Sequence, residues 1–264
     1  MNGNRILAIV LRHLYVWPRG LERFMWSIGW PMVSLFSWGL TASYLQTFSS
    51  LSISITTLIL GGIIFWSITT RSQLETTVNF MDEMWNKNLI NIFSSPLTIG
   101  EFLTATILLD LIKLVISVSI LTITAYLLYS LNLIGFGWYL PLFVINLLLF
   151  GWSVGFFIIG LMLRLGGRNI QELAWALLGF VAPFSCVYYP ITSLPVWAQK
   201  IAIVLPTTYV FEEMRRFMFS HEVYWENLLL SLALNLLYLI LSLLFIFLMF
   251  EKARETGNLT KMEG

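Results

Sequence analysis

Charged residues are scarce in this sequence. Only 11% of the 264 residues are Asp, Glu, Lys or Arg, whereas 58% are hydrophobic. A typical soluble domain is about one-quarter charged, and no soluble core of this size could cover so much apolar surface. The low charge and the 16% aromatic content also exclude a disordered chain and a nucleic-acid-binding protein. The composition therefore predicts a multi-pass membrane protein.

The residues of common catalytic and metal sites are also missing. A single cysteine, Cys186, excludes an intrachain disulfide, and the two histidines, His13 and His221, lie far apart in the sequence. A zinc site needs about four suitable ligands, which these residues do not supply. The nucleotide-binding motif G-x-x-x-x-G-K-[ST] is absent, as are G-x-G-x-x-G, G-x-S-x-G and H-E-x-x-H. We expect no metal, cofactor or ATPase site, so energy for transport has to come from a partner or an ion gradient.

Six apolar runs are long enough to cross a membrane as helices. A spanning helix needs about 20 mainly apolar residues. Such runs occur at about residues 24–46, 51–70, 102–130, 138–163, 173–190 and 227–250. No small-residue cleavage site follows the first run, which argues against a signal peptide. The sequence thus predicts an all-α polytopic membrane protein with one transmembrane domain over residues 1–264.

The placement of Lys and Arg predicts the orientation of these spans. If the N-terminus lies inside, most of the 15 Lys and Arg residues fall in inner segments. Only Lys200, Arg215 and Arg216 fall in outer segments, and Lys113 lies within the third span. Because an excess of Lys and Arg marks the cytoplasmic side, we expect both termini there, including the tail 251–264.

The first 23 residues contain a basic amphipathic segment. Apolar residues follow helical spacing between positions 6 and 17, and Arg5, Arg12 and Arg19 recur every seven residues. A basic helix with an aromatic end typically lies in the headgroup layer of the membrane. We expect an interfacial helix within residues 1–23, and a flexible basic tail that only sets the topology is the alternative.

The largest predicted inner loop, residues 71–101, contains a short amphipathic helix. Its apolar stripe over residues 83–93 consists of Trp85, Leu89, Ile92 and Phe93. Thr98 and Glu101 have the spacing of a capping box, which predicts the start of the third span. The stripe could lie on the membrane or on the chain's own helices, or it could dock into a groove of a cytoplasmic protein.

Residues 190–226 form the only sizeable outer segment. One short helical pattern opens at Pro195 and is stopped by Pro206, and a second runs from about Tyr209 to Ser220 before the last span. In the second pattern, Glu212 and Arg216 have the favourable i,i+4 order for an ion pair. Two half-length amphipathic helices before a span are typical of a re-entrant hairpin that enters the outer leaflet. A pair of surface helices is the alternative.

Two further features concern contacts between the spans. Asp110 and Lys113 are the only charges well inside a predicted span, and three residues apart they lie on one helix face. Charges at this depth rarely face lipid, so we expect an ion pair that is buried against another span or lines a pathway.

In the fourth span, Gly151 and Gly155 have the spacing of a close helix contact, which we expect first within the chain and second in a dimer.

Several of these segments resemble the membrane subunit of ATP-binding-cassette exporters of the type-2 permease class. The stretch L-P-V-W-A-Q … L-P-T-T-Y-V-F-E-E-M-R, residues 194–215, is similar to the family's pattern of two helices separated by a proline. Its matching residues are Pro195, Trp197, Pro206, Glu212, Glu213 and Arg215. The stretch N-L-I-N-I-F-S-S-P-L, followed by E-F-L, is similar to the family's coupling helix. The basic N-terminal segment is similar to the family's connecting helix.

This resemblance implies that a homodimer of this permease chain works together with two cytoplasmic ATPase subunits in the inner membrane of a bacterium or archaeon. The two permease chains would form the pathway for an amphipathic, lipid-like, drug-like or glycan substrate. The partner ATPase would bind ATP and act through the coupling helix with Trp85, Leu89, Ile92 and Phe93. A secondary transporter and a membrane-embedded lipid-modifying enzyme remain alternatives. No clear internal repeat supports the first, and Asp110 and Lys113 alone are few groups for the second.

Overall fold

Helices joined by short turns make up the part of the chain that the structure describes. The computed structural model describes residues 2–20, 24–48 and 55–256. The predicted tail beyond residue 256 and the first residues of the predicted second span lie outside this part. The helices are α1 (Gly3–Val16), α2 (Trp30–Gln46), α3 (Ile55–Trp85), α4 (Leu89–Ser94), α5 (Ile99–Tyr129), α6 (Tyr139–Leu165), α7 (Gly167–Val181), α8 (Val196–Ala202), α9 (Pro206–Ser220) and α10 (Trp225–Glu255).

Four helices are long and apolar enough to cross a membrane within the described residues. They are α3, α5, α6 and α10, with 27 to 31 residues each. At 1.5 Å per residue each is about 40 Å long or more, which exceeds the hydrocarbon thickness of about 30 Å. The predicted spans at 24–46 and 173–190 correspond to the shorter helices α2 and α7. An all-α membrane protein is therefore confirmed, whereas the number of six spans stays a prediction.

Helix α3 is much longer than the predicted second span. The expected inner loop from residue 71 onward is helical as far as Trp85, and Ser72, Gln73 and Thr76 are buried inside the bundle. The Thr76 hydroxyl donates to the Ser72 carbonyl over 2.8 Å, and the Gln73 amide donates to the Ala174 carbonyl over 3.0 Å. Because the side chains of Gln73 and Thr76 are satisfied inside the protein, their polarity does not mark the end of the helix.

Two apolar clusters fill the bundle at different heights. One is centred on Phe65, Phe136 and Phe143, whose rings meet edge to face with centroids 5.6 to 6.0 Å apart. It lies toward the end of the bundle that carries α8 and α9, which we call the α9 end. The other contains Phe80 and Phe102 and lies toward the end that carries α1 and α4, which we call the α1 end.

Helices α3 and α6 approach each other closely at two glycines. A Cβ atom on Gly151 would lie 2.6 Å from the Thr69 carbonyl oxygen, and one on Gly155 would lie 2.1 Å from the Thr76 hydroxyl. No side chain fits in these gaps. The expectation that this glycine pair packs helices within the chain is confirmed.

The glycine contact predicts a selective loss of stability. Gly151→Ala places a methyl group against a backbone carbonyl, so the two helices must separate, and overpacking of this kind destabilises by about 1–3 kcal/mol. Gly179→Ala on α7 is the matched control, since a Cβ atom there meets nothing within 4 Å and alanine favours a helix. Thermal unfolding in detergent should show a lower Tm for Gly151→Ala alone. Equal Tm values for the two variants would contradict the close packing.

Candidate functional site

A buried carboxylate attaches α1 to the end of α3. Glu83 is 2% exposed. It accepts hydrogen bonds from Arg12 over 3.0 Å and from the side-chain amide of Asn88 over 2.8 Å. Its other oxygen lies 3.1 Å from Nε2 of His13. One carboxylate therefore joins α1, the last turn of α3 and the residue that precedes α4.

A second carboxylate attaches the start of α1 to the start of α5. Glu101 and Thr98 form the predicted capping box. Glu101 also accepts a hydrogen bond from the backbone N–H of Asn2 over 2.7 Å and lies 3.6 Å from Arg5. The seven-residue spacing of Arg5 and Arg12 thus gives each arginine its own buried carboxylate.

Helix α1 combines this polar attachment with one apolar contact and one exposed apolar face. Val10 is buried against Ala105 and Leu109 of α5. Leu7 and Tyr15, in contrast, are exposed. The predicted amphipathic helix is therefore present and rests on the bundle, and its position in the headgroup layer stays a prediction.

The predicted coupling stripe is divided between two helices. Trp85 is the last residue of α3 and is 48% exposed. The chain then turns at Lys87, which has a φ of 53°, and α4 begins at Leu89. A single helix over residues 83–93 is therefore not observed, because this left-handed residue changes the direction of the chain.

Leu89 and Phe93 of α4 face the bundle. Leu89 is buried, and Ile92 is partly buried. The Phe93 ring packs against Phe250 and Phe102, with centroids 4.7 and 6.0 Å apart. The outward face of α4 carries polar side chains such as Asn91. Of the four stripe residues, only Trp85 thus presents a large exposed apolar surface.

Asp110 and Lys113 bind different partners rather than each other. The Lys113 ammonium donates to Glu75 over 2.6 Å, whereas Asp110 accepts a hydrogen bond from the Trp152 indole over 2.6 Å. The structure differs here from the expected ion pair. Each of the two side chains finds its partner on a neighbouring helix, α3 or α6.

The partners of Lys113 come from a part of α3 that the sequence places in a loop. Arg71 lies 3.8 Å from Glu75 in an i,i+4 pair, so one carboxylate faces two cations. All three side chains are largely buried. The i,i+4 spacing of Arg71 and Glu75 favours an ion pair on one helix face. Because the predicted span ends at residue 70, the two residues were assigned to a loop and this pair was not expected.

At the α9 end, ion pairs hold α9 to its surroundings. Glu212 pairs with Arg215 over 2.8 Å, instead of with Arg216 as predicted, and accepts the Ile191 backbone N–H over 2.7 Å. Arg215 donates to the Cys186 carbonyl over 2.7 Å. Glu212 and Arg215 thus connect α9 to the irregular segment that precedes α8.

Glu213 connects α9 to α10. It is fully buried, binds Arg216, and accepts the Tyr224 backbone N–H over 2.7 Å. The remaining predicted residues define the two short helices: Pro195 precedes α8, Pro206 begins α9, and the exposed Trp197 lies on α8.

The observed partners of Lys113 predict which charge exchange is tolerated. Glu75→Lys combined with Lys113→Glu keeps one carboxylate between two cations. The double variant should therefore be more stable than either single variant, with a coupling free energy between the two sites of about 1–3 kcal/mol. Asp110→Lys combined with Lys113→Asp should not recover stability, because it places two carboxylates together at Glu75. Monodisperse yield and Tm in detergent measure both pairs. Recovery by the Asp110 and Lys113 exchange would contradict the observed partners.

The comparison with protein families agrees with this architecture. The family model described as ABC-2 type transporter matches residues 4–219, from α1 to the last turn of α9. The candidate residues lie within the matched part, apart from Asn2, Tyr224, Phe250 and the other contacts made by α10. Among curated proteins, none matches this chain. Because the family model covers most of the sequence, the chain belongs to the ABC-2 type transporter family, the membrane permease components of ABC transporters.

Proposed function

We propose that the chain is the permease subunit of an ATP-driven exporter that contains two permease chains and two separate ATPase subunits. Membership of the ABC-2 type transporter family supports a transport function and association with an ABC ATPase. The main structural support for the proposal is the way in which helices are joined at the α1 end. There, Glu83 and Glu101 join a basic surface helix and the short helix α4 to the ends of the long helices.

In this proposal the α1 end faces the cytoplasm of a bacterium or archaeon. The excess of Lys and Arg in the segments at this end supports that orientation. Helix α2, together with the helical turn Met25–Gly29 before it, and helix α7 with the turn after it complete six spans. Both termini then lie on the cytoplasmic side.

The contact with the ATPase is formed by Trp85 and the outward face of α4. Leu89 and Phe93 hold α4 against the bundle, so a displacement of α4 is passed to α5 and α10 through their packed side chains. Glu83 passes the same displacement to α1 and α3. ATP-driven closure of the two ATPase subunits would move the long helices through these contacts.

The α9 end forms the outer closure of the pathway. Helices α8 and α9 are the re-entrant elements, and Glu212, Glu213 and Arg215 hold them to the neighbouring segments. Their exposed apolar residues, such as Trp197 and Ile201, suit the outer leaflet. The transported molecule is amphipathic, of a lipid-like, drug-like or glycan class, and passes between the two permease chains.

Replacement of Trp85 tests the contact with the ATPase. Exposed aromatic residues that anchor an interface contribute about 2 kcal/mol or more, so Trp85→Ala should weaken co-purification of the ATPase and lower transport at least about tenfold. Trp138→Ala is the matched control, since Trp138 is a highly exposed tryptophan next to α6 at the α9 end. Normal co-purification and transport in Trp85→Ala would contradict the proposed contact.

Cysteine labelling tests the orientation. In a Cys186→Ser background, a cysteine replaces either Asn91 on α4 or Asn132 before α6, and both positions are exposed. A membrane-impermeant maleimide should label Asn132→Cys on intact cells and Asn91→Cys only after permeabilisation. The reverse pattern would contradict the orientation.

A further inference from the structure

A cavity of about 430 Å³ lies at the α1 end between α1, α3, α5 and α7. Along α3 its wall includes Arg71, Glu75, Asn79, Asp82 and Asn86, which recur every three or four residues and so share one helix face. From Arg71 to Asn86 this face is about 22 Å long at 1.5 Å per residue. The cavity is therefore a slot that runs from the exposed end of α3 into the bundle.

Acidic and basic groups balance each other at the inner end of the slot. Lys113 bonds to Glu75 over 2.6 Å, and Arg71 is paired electrostatically with both Glu75 and the buried Asp110. A bound anion would compete with the two carboxylates for these cations, and a bound cation would compete with Arg71 and Lys113 for the carboxylates. Either one would leave a buried charge without its partner, which is unfavourable. The inner end therefore favours an occupant without net charge.

The charged groups nearer the mouth of the slot are also engaged within the protein. The carboxylate of Glu83 is bound by Arg12 and lies 3.1 Å from His13. Asp82 is not free either. The mouth thus provides no reason for a charged occupant.

A buried amide without a hydrogen-bond partner lies one helical turn from Glu75. Asn79 is 3% exposed and lines the cavity, and its Nδ2 makes no hydrogen bond to any described residue. An unsatisfied buried donor is unfavourable, and most buried polar side chains are paired. A ligand with an acceptor oxygen at this height of the slot would satisfy Asn79.

Glu75 provides an acceptor beside this donor. Its Oε2 accepts the bond from Lys113, whereas its Oε1 lies 3.8 Å from Arg71, which is too long for a hydrogen bond. Glu75 and Asn79 are four residues apart, so they are neighbours on the surface of α3. The wall therefore offers one donor and one acceptor, side by side, to a bound molecule.

Hydroxyl groups suit this pair because they are uncharged and can both donate and accept hydrogen bonds. An ammonium group can only donate, and an ester or ether oxygen can only accept. A molecule with several hydroxyls can donate to Glu75 and accept from Asn79 while the charge balance of the slot stays intact.

The apolar part of the wall suits a ring. Two indole side chains, Trp17 and Trp175, line the slot together with Val16 and Val78. Aromatic rings offer a large flat apolar surface, and a sugar ring has apolar C–H faces between its polar hydroxyl edges. A sugar therefore combines the two kinds of contact that the wall provides.

We propose that this slot binds an uncharged sugar ring, with the Asn79 amide as donor to one ring hydroxyl and Glu75 as acceptor from another. Trp17 and Trp175 supply the apolar surface for the ring. The volume lies within the range of small-molecule sites. This binding does not depend on transport or on an ATPase, so it can fail while the proposed function stands.

The test measures binding to the purified full-length chain in a polyoxyethylene detergent, which has no sugar headgroup. Native mass spectrometry follows titration with glucosyl-dioleoylglycerol. Dioleoylglycerol is the comparison without a headgroup, and dioleoyl-phosphatidylglycerol is the anionic comparison. We expect saturable binding of the glucosyl lipid that is at least about tenfold tighter than that of the other two lipids, because only its hydroxyls match Glu75 and Asn79.

Replacement of Asn79 is the decisive variant. Asn79→Leu should weaken binding of the glucosyl lipid about tenfold, because it removes the donor to the ring. Its Tm should not fall, since the amide nitrogen has no partner in the protein. Asn91→Leu is the matched control: it makes the same substitution at an exposed position of α4, outside the cavity, and should leave binding unchanged.

Replacement of Glu75 tests the charge balance. Glu75→Gln removes one carboxylate, so Arg71 and Lys113 then face Asp110 alone. This variant should bind phosphatidylglycerol more tightly than the unaltered chain does. Unchanged binding of phosphatidylglycerol would contradict the charge balance from which an uncharged ligand is inferred. If Glu75→Gln is not monodisperse, Asn79→Leu alone decides the question.

Methyl β-glucoside, a soluble sugar, identifies the source of the ring. Displacement of the glucosyl lipid by methyl β-glucoside, or binding of this sugar alone, supports a site that a soluble sugar can fill. Retention of the lipid against it supports the same site with a membrane glycolipid as the source. The proposal is wrong if neither ligand binds, if dioleoylglycerol or phosphatidylglycerol binds as tightly as the glucosyl lipid, or if Asn79→Leu binds like the unaltered chain.

Discussion

The carboxylate of Glu83 is the interaction on which the α1 end depends. A buried carboxylate is unfavourable unless it is paired and hydrogen-bonded, and Glu83, at the end of α3, gains its partners from two other segments. Arg12 and His13 come from α1, and Asn88 comes from the turn before α4. Because one carboxylate contacts all three of these side chains, the surface helix α1, the end of α3 and the start of α4 cannot easily move independently.

The same requirement explains the other charged groups of the bundle. Glu75 is placed between Arg71 and Lys113 in the middle of α3, and Glu213 joins α9 to α10 at the opposite end. In each case a carboxylate inside an apolar protein connects two helices. The few charged side chains of this protein therefore hold helices together and are at the same time candidates for function.

The sequence predicts much of the fold because the long apolar runs and the capping box are local signals. The close glycine pair at Gly151 and Gly155 could also be assigned correctly, since small residues at this spacing allow helices to approach. The continuation of α3 beyond residue 70 could not be predicted in this way. Some of its polar residues are satisfied by contacts such as that of Gln73 with Ala174, which depend on the tertiary structure.

The candidate sites were harder to predict than the fold for the same reason. Asp110 and Lys113 share a helix face as expected, yet each meets a nearer partner on another helix. Glu212 pairs with Arg215, since the carbonyl of Cys186 and the N–H of Ile191 hold both side chains in place. Spacing along one helix identifies which charges are buried, whereas their partners follow from packing between helices.

The central claim is that the ATPase acts on the α1 end through the end of α3 and the outward face of α4. Photo-crosslinking in native membranes tests it most directly, with p-benzoyl-phenylalanine incorporated singly at Trp85, Asn91 or Trp138. The account predicts crosslinks to a P-loop ATPase subunit from positions 85 and 91 and none from position 138. Crosslinks to the ATPase from position 138 alone, or from none of the three, would contradict it.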